Sequence, residues 1–257
     1  MKSRNQENKN REGKRGLNEV MGYFGSMFDR KENKDTLDRE KLMGTKISSL
    51  GDLKTFIKEV DGKISKFIWR DLVNELDIIV EPLTSLEFAF VGSKFKEIDL
   101  RGMDTSRVTS MSQMFNLCEN LDRVDLSTLD TRNVEDMGSM FSSCHNLIEL
   151  DLSSLDTSNV ENMSCMFDGC QKLKELDLSN FNTENVEDMR SMFNECKMLS
   201  KLNVTSFDTS NITNMSSMFY SCCNLKDLDV SDFSTGKVTN MEHMFGCCSS
   251  IRELNLK

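Results

Sequence analysis

The chain has 257 residues, 38% of them apolar and 29% charged, with one Pro, one Trp, two His and a formal net charge of −10. One Pro excludes a proline-rich linker or a collagen-like chain. Two His far apart leave little for a His-based metal centre, and no apolar run approaches the roughly 18 residues of a membrane-spanning helix. The charge is uneven. Residues 91–257 carry 15 Lys and Arg against 26 Asp and Glu, whereas residues 1–90 carry 17 against 16, and the first 15 alone 6 against 2. An acidic body argues against binding a nucleic-acid backbone, which needs cations facing phosphates.

Residues 1–45 hold isolated apolar residues in charged sequence and are expected to form a disordered charged tail. Its one apolar island, Val20–Phe28, reads as a transient helix, with a partner-binding or membrane-surface helix as the alternative. A secretory leader needs an apolar core after a short basic start, and none is visible, so the chain as written reads as cytoplasmic. Residues 46–82 predict a helical N-terminal cap. Leu53, Phe56, Ile57 and Val60 have helical spacing, as do Ile68, Leu72, Leu76 and Ile79.

From residue 83 the sequence is periodic. Met-Phe recurs at 114–115, 140–141, 166–167, 192–193, 218–219 and 244–245, always 26 residues apart. A Cys follows each Phe by three residues (Cys118, Cys144, Cys170, Cys196, Cys222, Cys248), and three further on stands Leu121, Leu147, Leu173, Leu199, Leu225 or Ile251. Such self-similarity is the signature of a stacked repeat array. We divide 83–257 into a degenerate first unit (83–107), five full units (108–237) and a partial unit (238–257). In one unit Val160, Met163, Met166 and Phe167 have the spacing of a short helix, while Leu176 and Leu178 alternate with polar residues as in a half-buried strand. Units running the same way place their strands parallel. The expected fold class is therefore an α/β solenoid, a leucine-rich repeat with parallel strands and short helices. A lone unit barely offsets its ordering entropy, so stacking must supply the surplus.

The string Cys-x-x-Leu-x-x-Leu-x-Leu is that of leucine-rich repeats. The fuller strings LDLSSLDTSNVENMSCMF (150–167) and LDLSNFNTENVEDMRSMF (176–193) resemble the BspA-like family of leucine-rich-repeat surface proteins, including mycoplasma-lipoprotein-type 26-residue repeats. The resemblance covers about 83–257. It implies a solenoid used for adhesion or protein binding, often at a cell surface or in the extracellular space. The cysteine-containing repeats of ubiquitin-ligase adaptors share the Cys-x-x-Leu start but lack the Asp-Thr-Ser-Asn-Val run. An intracellular adaptor is thus the alternative family reading.

No cofactor motif, nucleophile–base set or phosphate loop is visible, so no enzyme is expected. Nine Cys without a Cys-x-x-Cys pair read as free thiols, six of them packing the core, and not as a metal site. The Thr column (Thr105, Thr131, Thr157, Thr183, Thr209, Thr235) and the Asn column (Asn133, Asn159, Asn185, Asn211) read as groups that satisfy backbone at the turns. The candidate binding surface is the outward strand face: Glu97, Asp99, Asp125, Glu149, Asp151, Glu175, Asp177, Asp227 and Asp229. Glu149, Asp151, Glu175 and Asp177 are expected to form an unbroken block that selects a basic protein partner. Stacked like charges should also raise one another's proton affinity, so stability should rise from pH 7 toward 5. A structural role is the alternative function, with end-to-end self-association through the uncapped C-terminal coil.

Overall fold

The structure, a computed structural model, describes residues 37–255, with backbone only for 253–255. The Val20–Phe28 island and the rest of 1–36 lie outside the described residues. The elements are α1 (Arg39–Leu42), β1 (Lys46–Ile47), α2 (Leu50–Val60), β2 (Lys66–Ile68), α3 (Trp69–Glu75) and β3 (Ile79–Val80), followed by β4 (Glu97–Asp99), β5 (Arg123–Asp125), β6 (Glu175–Asp177), β7 (Lys201–Asn203), β8 (Asp227–Asp229) and β9 (Glu253–Asn255). Every pairing is parallel, in the orders β1-β3, β2-β4-β5, β6-β7 and β8-β9.

The helical segment follows its apolar spacing. Ser49 caps α2 by accepting from the Asp52 N–H, and Leu53, Phe56, Ile57 and Val60 are its buried face. Two expectations change here. Residues 37–45, assigned to the charged tail, carry α1 and bury Leu42. Ile68 and Ile79, placed on a helix, lie on β2 and β3: α3 begins only after Ile68, and the chain leaves it at Leu76 and pairs with β1, with Ile79 exposed. This segment joins the repeats through β2, whose Phe67 and Ile68 pair with Ile98 and Asp99 of the first unit.

The short helices expected in each unit are absent from the described residues beyond α3. The Met-Phe segment is instead a run of turns in which alternate N–H groups serve different partners. In one unit the N–H groups of Met166, Asp168 and Cys170 close turns onto the carbonyls of Met163, Cys165 and Phe167. Those of Met163, Cys165, Phe167 and Gly169 donate to Asp188, Arg190, Met192 and Asn194 of the next unit, at 2.8–3.2 Å. The same alternation runs from residue 111 onward, and single parallel bridges link 85, 110, 136, 162, 188, 214 and 240 in one continuous column. A helix would spend those donors within one turn. A segment this short makes a marginal helix in water, and the stacked turns satisfy the same groups while joining the units. The alternation requires left-handed backbone at Ser139, Cys165, Ser191 and Ser217 (φ 52–56°), where L-residues are disfavoured by about 1–2 kcal/mol. The inter-unit bonds and core must outweigh that cost.

The core confirms the lattice. Each Met-Phe pair from 114–115 to 218–219 is fully buried, as are Cys118, Cys144, Cys170, Cys196 and Cys222. Phe115, Phe141, Phe167, Phe193 and Phe219 stack with centroids 5.3–5.9 Å apart and planes within 13° of parallel. Phe67 and Phe90 extend the column into the helical segment. Polar groups at the turns, buried Thr131 and exposed Asn159 alike, are satisfied between units. The Thr131 hydroxyl donates to the Asp156 carbonyl and accepts its N–H, each at 2.8 Å, and Asn159 Nδ2 donates to the Arg132 carbonyl. The Cys170 thiol donates to the Phe141 carbonyl at 3.2 Å.

Phe167 has ring neighbours on both sides, so Phe167→Ala should cost about 3–5 kcal/mol of unfolding free energy through the cavity it leaves. Denaturant unfolding followed by circular dichroism measures it. A cost below about 1 kcal/mol would mean that the column does not hold the units together.

Candidate functional site: the strand side

Outward residues on the strand side come from the polar positions of the Leu-x-Leu alternation. The structure does not bring them into one strip. Glu97 pairs with Lys66 of β2, Nζ to Oε2 2.7 Å. Asp99, expected to face outward, is buried at 7% exposure. Arg101 folds over it, its Nε 3.0 Å from both carboxylate oxygens, and reaches Asp125 at 3.3 Å. Burial pushes the Asp99 carboxyl up, but the Arg101 side chain and N–H hold it below its ordinary value. The N-terminal end of the strip is thus neutralised locally. Further along, Lys201 Nζ lies 2.6 Å from Glu175.

The expected block of Glu149, Asp151, Glu175 and Asp177 is also not one strand face. Glu175 and Asp177 lie on β6, but residues 149–151 form no strand and their backbone pairs with neither neighbouring unit among the described residues. The turn column stays bonded here, so the units part only on their strand side. A cleft of about 400 Å³ opens beside this segment, lined by Ile148, Glu149, Leu150, Asp151, Lys174 and Glu175. A second, of about 210 Å³, lies between it and the Arg123–Ser127 segment. Ile148 is 41% exposed where the other units place Asp122, Lys174, Ser200 and Lys226. Glu149 has no ion-pair partner among the described residues, and Asp151 and Asp177 have no cation on them. Asp227 and Asp229 are exposed on β8, which is not paired with β7.

Asp151 and Asp177 are not driven toward protonation. Asp151 accepts from the hydroxyl and N–H of Ser153, and Asp177 from the N–H and hydroxyl of Ser179, with the Asn203 amide adding to it. Both carboxyls therefore sit below their ordinary value. Turns of the same kind hold Asp104, Asp156 and Asp208 low through Ser106, Ser158 and Ser210, and Asp130 low through Arg132. Local side-chain turns of this kind favour the charged carboxylate. The expected rise of stability toward pH 5 therefore loses its cause at Asp99, Asp151 and Asp177.

A second acidic column lies outside the expected site. Glu135, Glu161 and Glu187 are exposed and in register, the N–H of Glu161 donating to the Glu135 carbonyl and that of Glu187 to the Glu161 carbonyl. None has an ion-pair partner among the described residues. The signal for it was the recurring Val-Glu-(Asp/Asn)-Met at 134–137, 160–163 and 186–189. Among the described residues no group of three or more His, Cys, Asp or Glu converges as a metal set, and no helix is long and apolar enough to cross a membrane.

Two measurements follow. Carboxyls lowered in the fold stabilise it fully above the ordinary Asp range, and that contribution is lost as pH falls from about 4 into their lowered range. Glu75 and Asp168, raised by burial, act in the opposite sense. Tm should change little between pH 7 and 5 and fall below about pH 4. A Tm that climbs steadily on acidification would restore the repulsion picture. Burial also pushes the Cys118 thiol up to about 11 and holds Cys144 and Cys170 well above the thiol range. An aromatic disulfide reagent should therefore react first with exposed Cys247 and half-buried Cys223, and with the buried ladder only after unfolding.

No curated protein and no solved structure matches the chain. The profile of a family described as "Mycoplasma protein of unknown function, DUF285" matches residues 84–201 and 166–256, and the two matches overlap as repeats of one unit would. Together they span the whole periodic region, and the chain belongs to that family.

Proposed function

We propose that the chain is a non-enzymatic protein-binding module. Its units stack as one leucine-rich-repeat solenoid of the BspA-like kind, closed by the N-terminal helical segment as a cap, and its strand side receives a basic protein partner. The observation that carries this reading is the opened segment 148–151. There Glu149 and Asp151 line a cleft beside an exposed isoleucine and, like Asp177 on β6, form no ion pair among the described residues, while the Met-Phe, Cys and Thr columns are spent on packing. Charge of one sign steers an oppositely charged partner, and exposed charges are screened beyond about 8 Å at physiological salt.

Asn203 holds in its unit the place of Asp177 and makes the same turn through Thr205, so Asn keeps the local hydrogen bond without the charge. The triple change Glu149→Gln, Asp151→Asn and Asp177→Asn should leave Tm almost unchanged. It should weaken a partner captured on the immobilised full chain, and remeasured in purified form, by about tenfold or more at low salt. Glu135→Gln, Glu161→Gln and Glu187→Gln should leave that affinity unaltered. Equal binding by the first variant would make the strand side a solvated face. Loss only in the second would move the contact to the turn side.

A further inference from the structure

The corner where α2 meets the first two turn levels differs from the rest of the turn column. Left-handed backbone recurs down that column. Among the described residues it carries Gly, Ser, Gln, Glu, Cys or His everywhere except at Phe88 (φ 57°) and Leu117 (φ 61°). A large apolar side chain is disfavoured on such backbone, and Leu117 is in addition 49% exposed. Later units place Ser143, Gly169, Glu195 and Ser221 at that position. Val91, 41% exposed, likewise stands where later units hold Asn116, Ser142, Asp168 and Asn194. The Gly92 N–H donates to the Asn116 carbonyl at 2.8 Å and the Leu117 N–H to that of Ser142, which sets Leu117 one level beyond Gly92, the neighbour of Val91 in the chain. A Cβ on Gly92 would meet nothing within 4 Å, so the surface there is open.

A cleft of about 140 Å³ lies at this corner. Buried Ile57 and Phe90, half-buried Phe88 and exposed Val91 supply its apolar lining, and Lys54 and Lys58, one turn apart on α2, its cations. Lys54 Nζ stands 5.3 Å from the centre of the Phe88 ring, a cation–π contact. Neither lysine has an ion-pair partner among the described residues, whereas Lys41 and Lys63 both reach Glu59. Asp61, the one carboxylate in the lining, accepts the Lys94 N–H at 2.8 Å. Exposed apolar surface with positive charge beside it, on a chain of net charge −10, is complementary to an acidic partner. We propose that this corner docks an acidic segment of a partner protein. One apolar side chain of the segment enters the cleft against Phe88 and Phe90, the next covers Val91 and Leu117, and its carboxylates meet Lys54 and Lys58. An apolar centre with a charged rim is the anatomy of a protein interface, and an anionic bilayer would repel the acidic body of the chain. The surface lies apart from the strand side and stands independently of the binding role proposed there.

The test titrates the full chain with a capped peptide, Glu-Glu-Leu-Phe-Glu-Glu, and follows amide chemical shifts. Saturable shifts are expected at 54–58, 88–93 and 117, and none at 149–151. Val91→Asn with Leu117→Ser installs residues that other units hold at those positions, so Tm should stay the same while affinity falls by about tenfold or more. Lys54→Gln with Lys58→Gln should bring a similar loss at low salt and flatten the salt dependence of binding. Absence of saturable shifts at this corner, unchanged affinity in either variant, or equal binding by a peptide with Ala-Ala in place of Leu-Phe would overturn the proposal. So would phosphatidylserine vesicles that sediment the original chain and not the Val91→Asn, Leu117→Ser variant, which would assign the surface to a membrane. A dimer in light scattering that the same variant abolishes would assign it to a second copy and overturn it as well.

Discussion

The structure depends on one arrangement of hydrogen bonds. On the turn side every second N–H of the Met-Phe segment leaves its own unit for a carbonyl 25 residues on, and the groups between them close tight turns. That alternation fixes how far apart successive units lie and how they are registered. The phenylalanine column, the Cys thiols on Phe carbonyls and the Thr hydroxyls between units all follow from it, because each needs its counterpart directly above. Left-handed backbone at Ser, Cys, Gln, Glu and His positions is the strain that the arrangement carries.

The strand side obeys no such rule. Its pairing is made in β2-β4-β5, β6-β7 and β8-β9 and is absent around 149–151 and between β7 and β8. Continuous bonding on one side with interrupted bonding on the other lets the units part where they are not tied. Clefts, exposed backbone and uncompensated carboxylates then coincide at one level of the stack. The proposed binding role rests on that coincidence. Acidic residues alone would not single out the site, since the Glu135–Glu161–Glu187 column is equally exposed.

The core was legible in the sequence down to single residues, because a 26-residue lattice of Met, Phe, Cys and Leu admits one buried side. Leu176 and Leu178 announced β6, and Leu53 to Val60 announced α2. The Met-Phe turns were not legible. Apolar residues at 163, 166, 167 and 170 face one way in a helix and equally in stacked turns, and Gly92 and Gly169 are the only glycines among the described left-handed residues of the turn column. The opening at 149–151 was hidden for a similar reason, since Leu150 and Leu152 alternate with polar residues as their paired counterparts do. Asp99 was misplaced because its burial comes from Arg101, two residues on, and from the neighbouring β2, which periodicity does not reveal. The titration of the aspartates was misread because Ser153 and Ser179 act within one turn, closer than any charge in the next unit.

The most direct measurement is native-state hydrogen exchange resolved to single amides across residues 120–180. Strong protection is expected at Met137, Ser139, Phe141, Met163, Cys165 and Phe167, whose N–H groups bridge units, and fast exchange at 149–151 beside a protected Leu178, whose N–H donates to the Asn203 carbonyl. Protection at 149–151 equal to that at Leu178 would contradict it, because the strand side would then be closed at the level where the site is placed.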